Sequence, residues 1–284
     1  MEDIAPKLLQ QIEELYIQEK NSNEKVKHIL KKIKEGRISY IDACEYADEL
    51  GKILSVAYGS VFTMETLPDG KLYYNIAKRT VEPTMKGLHS DIADITDEVQ
   101  SVLNKQAGLG IKPIRPTLEQ DKIDGIVDRL SNTEIFDDIK WILEEPIKTF
   151  ARSVVDDAVE ANAEFHWDSG MTPKIVRKMA GNCCDWCKKV AGVYNYPDVP
   201  QDVYRRHNRC KCTVDYVVGK YRKNVHNNNT GERRYVKDKY GTYELSKEAR
   251  IEHSKQMAAT EKERQEAARK KRIETWKKKK QNAT

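Results

Sequence analysis

Apolar residues recur at three- and four-residue steps through most of the first 170 positions, the spacing that gathers them on one face of a helix. Ile4, Leu8, Ile12, Leu15 and Tyr16 form one stripe, and Val26, Ile29, Leu30 and Ile33 a second that stops before Gly36. Ser39 precedes a third stripe, Ile41, Tyr46, Leu50, Ile53 and Leu54, and Asp42 follows it by three residues, the spacing of a helix capping pair. Pro68-Asp69-Gly70 predicts a turn. Leu88, Ile92, Ile95, Val99, Val102 and Leu103 predict a further helix, and the Gly- and Pro-rich segment 108–116 predicts a linker after it. Leu118, Ile123, Ile126, Val127 and Leu130 resume the pattern, followed by Ile135, Phe136, Ile139, Ile142 and Leu143. Pro146 predicts a kink or division, and Ile147, Phe150, Val154, Ala158, Ala161 and Phe165 continue to Gly170. Thr172-Pro173 has the form of a helix start, so a short helix is expected over 174–180.

Beyond Gly181 the pattern changes to Tyr, Val and turn residues. The segment 212–217 has strand composition, Asn227-Asn228-Asn229-Thr230-Gly231 predicts a loop, and Arg234-Tyr235-Val236 the start of a short strand. Ser246 then caps an expected long helix over 247–280, whose large apolar residues are few: Ile251, Met257, Ile273 and Trp276. A helix polar nearly all round is solvated or lies on a partner. The expected fold is therefore mainly α. A helical region 1–110 and a second one, 117–171, precede a small zinc-stabilised α+β module over 172–243, and a basic helical tail, 247–284, follows.

Charge sharpens this division. The chain has 284 residues and a formal net charge of +5. Residues 1–182 carry 24 basic and 32 acidic side chains, whereas 183–284 carry 26 and 13. An acidic front and a basic back suggest a polyanion partner for the back. No apolar run approaches the ~20 residues of a membrane span, so no membrane partner is expected. The N-terminal Met1-Glu2-Asp3-Ile4-Ala5-Pro6 lacks the basic-then-apolar form of a signal peptide.

Five of the six cysteines fall within thirty residues: Cys183, Cys184, Cys187, Cys210 and Cys212. With no export signal expected, such clustering points to a metal site before a disulfide framework. The spacing is C-x2-C, then His207-x2-Cys210-x-Cys212. Zinc takes four N/S donors in a closed structural site. Cys184, Cys187 and Cys210 form the expected core, with His207 or Cys212 completing it and Cys183 as a bystander. The acids nearest in sequence are Asp185 and Asp215, so a structural zinc is preferred over a catalytic one, which needs an open position and often a Glu base.

Residues 172–218 also carry a resemblance. Thr172-Pro173-Lys174-Ile175-Val176-Arg177, then Cys183-Cys184-Asp185-Trp186-Cys187 with Ala191-Gly192 after it, then His207-Asn208-Arg209-Cys210-Lys211-Cys212-Thr213, resemble the Mu F-like minor head (head morphogenesis) proteins of tailed bacteriophages. The resemblance is specific over about 50 residues; upstream only the layout, a helical front before the Cys/His module, agrees. It implies a low-copy, non-enzymatic virion component of the head interior, present in the host cytoplasm during assembly. Its implied partners are portal and capsid proteins, and its implied roles are assembly and DNA delivery.

The tail suggests double-stranded DNA as a further partner. Arg269, Lys270, Lys271, Arg272, Lys277, Lys278, Lys279 and Lys280 lie in a segment with 13 basic and 6 acidic residues, suited to sequence-independent phosphate contact. Arg205, Arg206, Arg209, Lys211, Lys220, Arg222 and Lys223 add to it beside the metal module. The acidic pairs Asp137-Asp138, Glu144-Glu145 and Asp156-Asp157 read as wet helix faces, His166-Trp167-Asp168 as packing with a capping acid, and Cys44 as a small core residue. No phosphate-binding glycine loop or nucleophile elbow is present in the sequence. Two other readings stand beside the phage one. The first is a zinc-dependent nuclease or toxin using His207 and His226; the second is a cellular DNA-binding zinc protein.

Overall fold

Ser39 shows how the local signals are realised. Its side chain accepts from the Asp42 backbone N–H, and its own N–H donates to the Asp42 carboxylate at 2.8 Å, so two otherwise unpartnered helix-start donors are satisfied together. In the computed structural model, residues 3–132, 135–181, 183–207 and 209–218 are described, with the strands Tyr235–Asp238 and Gly241–Glu244. The chain divides into two compact units, Met1–Lys220 and Tyr221–Thr284.

The first unit is mainly helical: α1 Ala5–Ser22, α2 Glu24–Lys34, α3 Tyr40–Val61, α4 Tyr74–Gln106, α5 Gln120–Ser131 and α6 Glu145–Asp168. The predicted stripes face inward: Leu8, Ile12, Val26, Leu50, Leu54, Leu88, Ile92, Val99, Ile123, Val127 and Val154 are all buried. Each such side chain contributes roughly 1.5–3 kcal/mol of transfer free energy. α3 and α6 are the central pair. Gly51 sits at their contact, where an added Cβ would lie 3.0 Å from the Lys148 Cα, so this crossing needs glycine.

The 108–116 segment is extended, as expected, but it is tied down. Asn162 of α6 accepts from Ile114 N–H and donates to Ile114 O, both at 2.8 Å. Tyr40, Gln100 and Asn104 continue a buried chain of hydrogen bonds that ends on Ile111 O. Among the described residues, no helix is long and apolar enough to cross a membrane.

Several local expectations are corrected. Residues 174–178 form a strand, not a helix: β1 Lys174–Lys178 is the centre of an antiparallel sheet between β2 Gly192–Asn195 and β3 Thr213–Val217. Burial there alternates, with Ile175 and Arg177 inward, which is a strand period. Residues 136–143 form two 3-10 turns rather than a helix, Phe136–Asp138 and Lys140–Leu143. Pro146 starts α6 instead of dividing it. α4 begins at Tyr74, well before the stripe that opens at Leu88, and carries Pro83 internally.

The sheet shares the helical core. Ile175, Val203, Tyr204, Val214 and Tyr216 join the same buried cluster as α1–α6. Tyr216 packs edge-on to Tyr40, ring centroids 6.2 Å apart, and its hydroxyl bonds His166 Nδ1. The second unit contains an antiparallel hairpin, β4 Tyr235–Asp238 and β5 Gly241–Glu244. The helix expected over 247–280 lies outside the described residues.

Candidate metal centre

Each donor is delivered by a local device that the sequence specifies. α6 ends at Gly170 in the left-handed region, with the Met171 N–H bonded back to His166 O at 2.9 Å, and the chain turns into β1. After β1, Gly181, also left-handed at φ 58°, turns the chain into Cys183 and Cys184. Cys184 caps a short helix, α7 Asp185–Val190, its sulfur accepting from the Cys187 N–H at 3.5 Å. One helical turn thus brings two sulfurs of the C-x2-C pair together. The second half arrives from a 3-10 turn, Gln201–Val203, through a tight turn in which Cys210 N–H donates to His207 O at 3.1 Å. Cys210 and Cys212 follow, both buried, just before β3.

The donors converge on Cys187, which is 2 % exposed. His207 Nε2 lies 2.9 Å from its sulfur and 3.3 Å from that of Cys184. Cys210 Sγ is 3.7 Å from Cys187 Sγ. A tetrahedral ion with bonds of about 2.3 Å to sulfur and 2.0 Å to nitrogen has S–S edges of about 3.8 Å and S–N edges of about 3.5 Å. The Cys187–Cys210 edge fits, and the imidazole edges need only small expansion. The side chains therefore form a group that can hold a metal ion, Cys184, Cys187 and His207, with Cys210 beside it.

The bystander expected at Cys183 is part of the cluster. Its sulfur is 3.4 Å from that of Cys212, and Cys183, Cys187 and Cys212 form a second potential donor group. The C-x2-C spacing did not flag it; its adjacency to Cys184 places it on the other side of the same turn.

Arginines and an aromatic ring hold the centre from behind. Arg177, 2 % exposed, donates to Val203 O and to Cys210 Sγ at 3.6 Å, and its guanidinium lies 5.4 Å from the Trp186 ring. Trp186 in turn meets the His207 ring edge-on at 5.5 Å. Arg152 holds Cys210 O at 2.9 Å and is ion-paired with Asp48; Arg206 holds Cys212 O at 2.6 Å and is ion-paired with Asp156. The carbonyls flanking the donors are thus fixed by charged hydrogen bonds anchored in α3 and α6.

Electrostatics separate the thiols. The backbone N–H of Cys187 lowers the pKa of Cys184, whereas burial raises those of Cys187 and Cys212. A bound cation reverses the burial effect, because a coordinating thiol is deprotonated outright. Cys44, outside the cluster, is pushed up to about 12 by burial and is a core thiol, as expected.

Two expectations about charge are corrected here. Asp156 is not on a wet face: it is fully buried against Arg206, whose own side chain is 1 % exposed. Arg206 is accordingly a structural cation and not a surface for DNA. Asp137, Asp138 and Glu144 are exposed as expected. Arg205, Arg209 and Lys211 are exposed, while Lys220, Arg222, Lys223 and the tail cations Arg269, Lys270, Lys271, Arg272 and Lys277–Lys280 lie outside the described residues. No protein-family model matches this chain, and no curated protein or solved structure gives a match.

Proposed function

We propose that this protein is a zinc-stabilised structural component of a tailed-phage head, of the Mu F-like minor head kind, acting by binding and not by catalysis. The observation that carries the structural reading is the composition and setting of the donor cluster. Both donor groups consist of cysteine and histidine alone, their shared member is buried, and the carbonyls of Cys210 and Cys212 are clamped by the Arg152 and Arg206 side chains. Thiolate and imidazole at tetrahedral spacing favour zinc. A hydrolytic zinc would need a base beside its water, and neither donor group includes a carboxylate.

The phage assignment rests on the motif itself, from Thr172-Pro173 through His207-x2-Cys210-x-Cys212-Thr213. In this reading the helical body of 1–171 docks on the portal or inner shell, and the cations of 247–284 touch packaged DNA. Residues of the metal module other than Arg206 supplement that contact through exposed Arg205, Arg209 and Lys211. The test is immunodetection of the chain in purified particles and empty heads of the phage that encodes it. Presence in both at low copy is expected; absence from both overturns the assignment.

A further inference from the structure

We propose that the cluster holds two metal ions, bridged by the Cys187 thiolate. The inference rests on the reading of the cluster as a metal centre and extends it from one ion to two.

Six donors meet here, and a tetrahedral ion takes four. Five of them fall into two groups in which every pair of ligand atoms lies within 4.8 Å: Cys184, Cys187 and His207 on one side, Cys183, Cys187 and Cys212 on the other. Only Cys187 belongs to both. Its sulfur is also the one that Cys210 approaches at 3.7 Å, a tetrahedral edge. The first ion takes Cys184, Cys187 and His207, and Cys210, which reaches the Cys187 sulfur but lies outside that mutually close group, moves in to complete its four ligands. The second takes Cys183, Cys187 and Cys212, with an exogenous fourth ligand such as water.

Charge agrees with this count. Five thiolates around two divalent ions leave a net charge of one negative unit. Arg177 supplies the matching cation: it is buried, its guanidinium donates to Cys210 Sγ, and among the described residues it forms no ion pair with a carboxylate.

The experiment is metal analysis and native mass spectrometry of the full chain purified with zinc, with cobalt(II) substitution as a second readout. Two ions per chain are expected. Cys183→Ser, a half-buried site whose change leaves the first group intact, should retain one ion, and His207→Ala should also retain one. The cobalt protein should show an attenuated high-spin resonance from coupling through the shared sulfur, restored to full intensity per ion by Cys183→Ser. One ion in the wild type, unchanged by Cys183→Ser, overturns the two-ion proposal while leaving the metal centre standing. Two ions with uncoupled cobalt resonances overturn the bridge. No ion at all overturns the metal reading itself.

Discussion

Replacing Asp156 by Asn should be among the most damaging isosteric changes in the molecule. Arg206 donates to both carboxylate oxygens of Asp156, from Nη2 at 2.8 Å and from Nε, and the two side chains are 1 % and 0 % exposed. Its remaining donor holds Cys212 O at 2.6 Å, so the guanidinium has no route to solvent. Asn keeps the shape but removes the negative charge and turns an N–H2 toward the guanidinium. Removing one partner of a buried pair costs about 3–5 kcal/mol, because the other charge stays desolvated. For a unit of the size of Met1–Lys220 that corresponds to a fall in Tm of roughly 6–20 °C. Calorimetry of the zinc-loaded protein measures it. The double variant Asp156→Leu with Arg206→Met removes both charges and should lie nearer to wild type than Asp156→Asn does. An Asp156→Asn variant within about 0.5 kcal/mol of wild type, inside the usual spread of surface changes, would refute the reasoning.

Three further outcomes are expected. His166 is fully buried, and burial draws its pKa down to about 4, so the neutral form is the one that folds. Its contribution is complete above the unfolded value of about 6.5 and is lost as pH falls toward 4, a loss of roughly 3 kcal/mol that His166→Gln should not show in pH-dependent denaturation. Asp157, pushed up to about 6 by burial, acts in the opposite direction but is common to both proteins and cancels in the comparison. Ser39→Ala removes half of the capping pair at α3 and should cost about 1 kcal/mol by thermal unfolding, with the metal content unchanged. Deleting 247–284 should flatten the dependence of duplex-DNA affinity on salt, measured by fluorescence anisotropy, because it removes 13 of the basic residues.

Much of the helical body was legible because its signals are local. The Leu50–Leu54 and Ile123–Val127 stripes and the Ser39 cap each declare themselves within one or two turns. What escaped depended on distant partners. Arg177 looks like a polar position, so Lys174-Ile175-Val176-Arg177-Lys178 does not read as an alternating strand until Val203 O and the Cys210 sulfur are seen to receive its guanidinium. Asp156 looks like a wet helix residue because its counter-ion stands fifty positions later. Pro83 masks the first turns of α4 in sequence, although the helix passes through it. At the centre, the spacing of cysteines and histidine pointed to five candidate donors, of which Cys184, Cys187, His207 and Cys212 fall in the two potential donor groups and Cys210 only touches Cys187. Cys183, the remaining member of those groups, could be found only by folding the turn at Gly181.

The sequence suggests a small module that draws much of its folding free energy from the metal, and the sheet beneath the donors also shares its core with α3 and α6. Metal loss should therefore be felt by the helical body as well. Thermal unfolding of the zinc-loaded chain, followed by far-UV circular dichroism before and after chelation, tests that coupling directly. A lower Tm for the helical signal once the metal is stripped is the predicted result. An unchanged helical transition in protein proven to have lost its metal, or a purified chain that never contained any, would contradict it.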